Sequence, residues 1–339
     1  MMEKKLPEWA AIDGIRLPSS LALEQCSSQE TAQWKARLVG GEHLVDLTGG
    51  LGVDCAYLSK SFRKTDYVER QPALVEAARH NFGLLGLDIN VHQAEAEAFL
   101  AQMPVCDCIF VDPARRDGMG RKVVSLRDCS PDIVGLHDQL LTHCRQLLLK
   151  LSPAHDIKEA LRIFPECEDL YIIAVKGECK ELLLKAGASG TGHPPRVHCC
   201  DREELYSFFL EDEALAQACY DLPKSYVYEP HSALLKAGAF KKICADFGCA
   251  KLHPNSHLYT SEQLIAGFPG RKFELLECLR ANDRRLRALG KANLTVRNFP
   301  ATVADLRKKW KLAEGGEDYL LATTLCDESH RILRCRKIQ

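Results

Sequence analysis

From His43 onward the chain alternates short apolar runs with segments whose apolar residues recur at helical spacing. His43–Leu47, Thr65–Glu69, Ile89–His92, Cys106–Val111, Arg145–Leu151, Leu170–Val175 and Arg196–Cys200 read as strands. Between them the pattern predicts helices running to Ser61, over Pro72–Leu85 and over Asp156–Phe164. In the second of these, Leu74, Ala78, Phe82 and Leu85 fall at spacings of four, four and three, which line one face. Short strands alternating with amphipathic helices imply an α/β fold on a parallel, doubly wound sheet. Ligands of such a sheet sit at the carboxyl ends of its strands. Upstream, residues 1–18 are polar and proline-interrupted and read as an irregular arm. Ser27-Ser28-Gln29-Glu30 reads as a capping box, with Ser27 at the cap, opening a helix to Leu38 that Gly40-Gly41 stops.

After Tyr206 the rhythm changes. Tyr226–Pro230 leads into a helix expected over His231–Phe247. Lys272–Leu279, Asn293–Phe299, Tyr319–Leu325 and Arg331–Arg336 read as strands, and Asn282–Leu289 and Ala301–Leu312 as helices. This is the pattern of a second, smaller α+β domain. The 339 residues therefore divide into an N-terminal arm and helix (1–40), an α/β domain (41–205) and an α+β domain (206–339).

Composition excludes several classes. Hydrophobic residues make up 46% of the chain, and no apolar run approaches the roughly 18 residues of a membrane span. The start, Met1-Met2-Glu3-Lys4-Lys5-Leu6-Pro7, lacks the apolar stretch of a signal peptide. Sixteen cysteines include no CxxC and are scattered singly, as at Cys55, Cys108, Cys144, Cys244 and Cys278. That usage fits reduced thiols serving as small buried hydrophobes in a cytoplasmic protein. His198-Cys199-Cys200 and His253-Pro254-Asn255-Ser256-His257 do not match zinc spacing, so no metal is expected. The net charge of −1 hides a split: residues 281–339 hold 13 Lys/Arg against 7 Asp/Glu, hence +6, leaving −7 elsewhere. A local basic surface is compatible with a nucleic-acid partner. No oligomeric state can be read from the sequence.

Three places carry chemistry. Asp46-Leu47-Thr48-Gly49-Gly50-Leu51-Gly52 follows a strand and opens a helix, where tight turns and free N–H groups suit a nucleotide-type cofactor as well as an ordinary turn. Glu69 ends the second strand, 17 residues after Gly52, where an acid can bind both ribose hydroxyls of either NAD or S-adenosylmethionine. The carboxylate of Asp46 suits the ammonium of a methionine moiety and would repel a pyrophosphate, and the loop lacks the full GxGxxG register. Phe110-Val111-Asp112-Pro113-Ala114-Arg115-Arg116 ends the fourth strand in a rigid turn facing the same cleft. There Asp112 can orient an acceptor amine and take its proton, or serve as a plain structural turn.

Together these places resemble the class I S-adenosylmethionine-dependent methyltransferases over about residues 20–200. Leu23–Ala32, Asp46–Gly52, Asp112–Arg116, Gly177–Leu182 and Tyr226–Ala233 look like a bacterial group of such enzymes with a THUMP-like or ferredoxin-like C-terminal domain. The resemblance implies a Rossmann-like sheet, S-adenosylmethionine as cofactor and an RNA substrate. It assigns Ser28, Asp46, Thr48, Gly49, Gly50, Gly52, Glu69 and Glu95 to cofactor binding, and Asp112, Pro113 and Arg115 to catalysis. The layout is also similar to the RNA cap guanine-N2 methyltransferases, where a Ser/Thr-rich segment covers the cofactor. Amino-methylating families usually follow the acid with Pro-Pro-aromatic, whereas Pro113 is followed here by Ala114 and Arg115, whose guanidinium plane could stack a base. Arg115, Arg116, Arg121, Lys122 and Arg127 form a basic segment suited either to phosphates or to solvent. The rival functions are a protein or small-molecule methyltransferase, a nicotinamide-dependent oxidoreductase, and a non-catalytic RNA-binding module with a vestigial cofactor site.

Overall fold

A computed structural model describes residues 2–115, 125–187, 192–201 and 204–338; of Arg115 it describes the backbone alone. The chain divides into two compact units, Met1–Val175 with Cys179–His198, and Lys176–Glu178 with Cys199–Gln339.

The first unit opens with short helices at Met2–Lys5 and Pro7–Ala10, where the sequence suggested an irregular arm. Pro7 starts the second helix instead of breaking it, because a first-turn residue needs no N–H. Leu6 and Trp9 are then fully buried against Tyr57, Tyr67 and Phe82. Helix α1 (Gln29–Ala36) is capped by Ser28, whose Oγ accepts from the Thr31 N–H. The cap thus sits one residue beyond the expected Ser27. That shift turns Ser27 inward, where it is buried.

The nine-stranded sheet of this unit includes β1 (Gly41–Asp46), β2 (Phe62–Glu69), β3 (Asn90–Gln93), β4 (Cys106–Val111), β5 (Cys144–Leu151), β6 (Cys167–Val175) and β7 (Glu178–Gly187). Their order is β6-β7-β5-β4-β1-β2-β3. Helices α2 (Val53–Leu58), α3 (Pro72–Leu84) and α4 (Ala96–Leu100) connect the early strands. Pairing is parallel between β1 and β2, β1 and β4, β2 and β3, and β4 and β5. β7 departs from the all-parallel expectation. It runs antiparallel to β5, with Leu151 opposite Leu182. Its origin is a two-residue turn at Lys176 and Gly177, both at positive φ (54° and 78°), which is the backbone a tight hairpin needs. Glu178–Glu181 is therefore the start of a strand whose continuous buried part runs from Glu181 to Leu184.

In the second unit, β8 (Tyr226–Pro230), β9 (Ala250–Lys251), β10 (Tyr259–Ser261), β11 (Gly270–Leu279), β12 (Asn293–Arg297), β13 (Asp318–Thr324) and β14 (His330–Ile338) form one sheet in the order β9-β10-β8-β11-β14-β13-β12. The helix expected over His231–Phe247 is two, α5 (Ser232–Ala237) and α6 (Lys242–Phe247), parted at Gly238 in the left-handed region. Helices α7 (Arg285–Ala288) and α8 (Val303–Trp310) bury Leu286, Leu306 and Trp310 in one cluster with Leu320 and Ile332 of the sheet. Of the singly scattered thiols, Cys55, Cys108, Cys144 and Cys244 are buried, but Cys278 is exposed on β11.

Candidate active site

The turn after β1 is shaped from within. A Cβ on Gly49 would lie 2.1 Å from the Tyr67 ring, and one on Gly52, at φ +85°, would lie 2.7 Å from Phe82. Gly50, also left-handed at φ +54°, donates its N–H to Glu69 Oε2 at 3.0 Å. The other oxygen of Glu69 accepts from the Gln71 N–H at 2.9 Å. Glu69 therefore pins the glycine turn to the end of β2. Thr48 closes the turn on its other side: its Oγ1 accepts the Asp112 N–H at 2.6 Å, and its own N–H donates to Asp46 Oδ1 at 3.0 Å.

Asp46 is the unusual acid of this group. It is 1% exposed, has no ion pair among the described residues, and burial raises its pKa well above the usual carboxylate range. A carboxylate so placed favours a cation brought to it. Glu95 differs: it caps α4 without a side-chain bond and lies 3.8 Å from Arg70, both more than half exposed. The Ser28 hydroxyl is committed to the α1 cap.

Asp112 and Pro113 follow β4 directly, and the backbone of Arg115 pairs with Cys129 in a two-residue bridge. The Arg115 side chain, Arg116, Arg121 and Lys122 lie outside the described residues; Arg127 is exposed. Asp112 is half-buried and held by a residue that sequence reasoning passed over. Lys150, at the end of β5, donates to Asp112 Oδ2 at 2.6 Å, to Ser27 Oγ at 3.0 Å and to Asp54 Oδ2 at 3.2 Å. A second lysine, Lys35 of α1, donates to Ser27 Oγ at 3.0 Å and to Glu181 of β7, and lies 3.1 Å from Asp54 Oδ1. Ser27 Oγ donates in turn to Asp54 Oδ2 at 2.7 Å. Lys35 is wholly buried, and Ser27, Asp54, Lys150 and Glu181 are at most 9% exposed.

The charges of this hub hold one another ionised. Burial alone would raise Asp54, but Lys150 and Lys35 bring it down to about 2. Glu181 is lowered against its burial by the same two lysines. Lys150 is raised, against its own burial, by Asp112, Asp54 and Glu181. Asp112 is raised by burial, with Lys150 opposing. The sequence signals were slight: a lysine near the end of the apolar run Leu147–Leu151, and a polar Glu181 ahead of three leucines. Among the described residues no group of three or more His, Cys, Asp or Glu could hold a metal ion.

Comparison with known proteins supplies the lineage. Residues 226–269 match a ferredoxin-like domain family and residues 270–337 a THUMP domain-like family. The crystal structure of a candidate methyltransferase from Porphyromonas gingivalis W83 superposes with a TM-score of 0.92 at 38% identity, covering 100% of this chain and 88% of that one. Two Mycobacterium tuberculosis strains each carry a protein described as an uncharacterized S-adenosylmethionine-dependent methyltransferase, 27% identical over 299 residues, 86% of this chain and 80% of theirs. With this fold and these relatives, the chain belongs to the S-adenosylmethionine-dependent methyltransferases with ferredoxin-like and THUMP-like C-terminal domains, and S-adenosylmethionine is its cofactor.

Proposed function

We propose that this enzyme methylates RNA, at a base nitrogen of tRNA or rRNA. The observation that carries the substrate class is the charge on the second unit's helices. Arg285, Arg297, Arg307, Arg334 and Arg336 are ion-paired within the unit. Arg284, Arg287, Lys308, Lys309 and Lys311 are exposed on or beside α7 and α8 and have no ion pair among the described residues. Unpaired cations on a THUMP-like domain suit a phosphate backbone. No helix among the described residues is long and apolar enough to cross a membrane. Free thiols throughout favour the cytoplasm.

The residues at the strand ends fit the cofactor. The buried, cation-free carboxylate of Asp46 suits the methionine ammonium, Thr48, Gly49, Gly50 and Gly52 line the turn, and Glu69 suits the ribose hydroxyls. Glu95, exposed after β3 at the cap of α4, can meet the adenine amine. Ser28 is left out of this set because its hydroxyl caps α1. When bound, S-adenosylmethionine supplies an electrophilic methyl group. Asp112 does the rest of the chain's chemistry. Lys150 takes its Oδ2, while Oδ1 has no hydrogen-bond partner among the described residues. Oδ1 would accept an N–H of the acceptor, orient its nitrogen lone pair, and take the proton released as the N–C bond forms and the methyl's C–S bond breaks, with S-adenosylhomocysteine leaving. Pro113 fixes the turn that holds this geometry.

The test is transfer of labelled methyl from S-adenosylmethionine to total RNA from cells lacking the protein. Label should enter RNA, and binding should weaken with salt by a slope near −0.7 per phosphate neutralised. Label entering protein or small molecules instead would overturn the RNA assignment and leave the reaction class standing.

A further inference from the structure

Lys150 is a lysine with no hydrogen to spare. An ammonium carries three N–H donors, and Asp112, Ser27 and Asp54 take all three at 2.6, 3.0 and 3.2 Å. The residue is 8% exposed and its hydrogens are spent inside the protein, so it neither binds a ligand nor removes a proton. Its partners come from distant parts of the chain: Ser27 precedes α1, Asp54 lies in the first turn of α2 below the glycine turn, and Asp112 follows β4. Ser27 in turn joins Lys150 to Lys35 and, through Lys35, to Glu181 on β7. A hub of this kind has one geometry in which every donor is satisfied. Leaving any member unpaired in a buried site is costly.

We propose that Lys150 is a positioning residue for methyl transfer: by clamping Oδ2 of Asp112 to the frame of the glycine-turn helix, it leaves Oδ1 as the one oxygen presented to the acceptor. This inference rests on Asp112 being the group that receives the acceptor's N–H. The charge of Lys150 has a second consequence. Asp112 is surrounded by the carboxylates of Asp54, Glu181 and Asp46, and Lys150 is the cation in direct contact with it, with Lys35 beyond. Removing Lys150 therefore moves the Asp112 carboxyl toward protonation at higher pH, whereas neutralising Asp54 moves it the other way.

The experiment measures kcat, the KM for S-adenosylmethionine and the pH–rate profile of the full chain, with total RNA from cells lacking the protein as acceptor. For Lys150→Met we expect kcat to fall about 10²-fold, little change in KM, and an acid limb displaced to higher pH. Asp54→Asn keeps the acceptor oxygen at the same place and should displace the limb to lower pH. It supplies an independent arm should Lys150→Met fold poorly, which a thermal melt with S-adenosylhomocysteine detects. Lys150→Arg should hold the limb near its original pH while kcat falls, because the charge stays and the three-fold geometry does not. Unmoved limbs in the Lys150→Met and Asp54→Asn variants, or wild-type kcat in Lys150→Met, would overturn the positioning role. Full transfer by Asp112→Ala would instead overturn the underlying reading of Asp112.

Discussion

The two units use charge in opposite ways. In the first, Lys35, Lys150, Asp54 and Glu181 are withdrawn from solvent and ion-pair with one another around Ser27. In the second, Arg334 bridges Glu277 and Asp318 at 2.9 and 2.7 Å on β14, one-third exposed, and several cations on or beside α7 and α8 have no ion pair among the described residues. Asp54 and Asp283 show why position matters more than shift. Both are held at about 2, Asp54 mainly by two lysine charges acting against burial, Asp283 by hydrogen bonds from an exposed Arg285. Equal shifts do not mean equal stability, since water screens the second. Charge buried in the first unit specifies geometry; charge left bare in the second is available to a partner.

The comparison breaks first at Lys35. Replacing it with Met leaves Glu181 without its ion-pair partner in the interior and Asp54 with Lys150 alone, and should cost about 3–5 kcal/mol in urea unfolding. Arg334→Ala, by contrast, should cost under about 1 kcal/mol. Next in size is RNA binding. Converting Arg284, Arg287, Lys308, Lys309 and Lys311 to Gln should flatten the slope of log K against log salt by up to about 3.5, while converting the paired Arg285 and Arg334 should leave it nearly unchanged. Smaller still is the pH dependence of stability. Asp54 has a folded pKa below its unfolded one, so its contribution is complete above about pH 4 and is lost as pH falls through about 2. Acid titration of stability should show that loss in the wild type and a weaker one in Lys35→Met. Asp283→Asn should leave the acid limb of stability in place. The smallest change concerns helix α3, where a methyl at Gly83 meets no atom within 4 Å. Gly83→Ala should stabilise by about 0.5–1 kcal/mol.

Much of the frame was legible because its signals are local. Strand β4 begins and ends where its apolar run does, and α3 follows its own helical spacing. The acids at Asp46, Glu69 and Asp112 were readable because each lies at or just past a strand end, where ligands of such a sheet bind. The hub was not. Its members are separated by as many as 154 residues, as Ser27 and Glu181 are, and nothing in a lone lysine inside Leu147–Leu151 announces a partner that far away. β7 was missed for a related reason. Its hairpin turns on Lys176-Gly177, a weaker signal than Asn-Gly, and three charged residues at its start, Glu178, Lys180 and Glu181, disguise the leucines behind them. The Ser27/Ser28 misregister shows the same limit. Either serine could cap α1, and what decides is that Ser27 is needed by two lysines.

Asp112→Ala separates cofactor binding from methyl transfer. Melts of wild type and variant with S-adenosylhomocysteine report on the cofactor site, and labelled-methyl transfer to total RNA reports on the reaction. The ligand should still raise the melting temperature of the variant while transfer to RNA is lost. Transfer at the wild-type rate, with the cofactor site intact, would contradict the role given to Asp112.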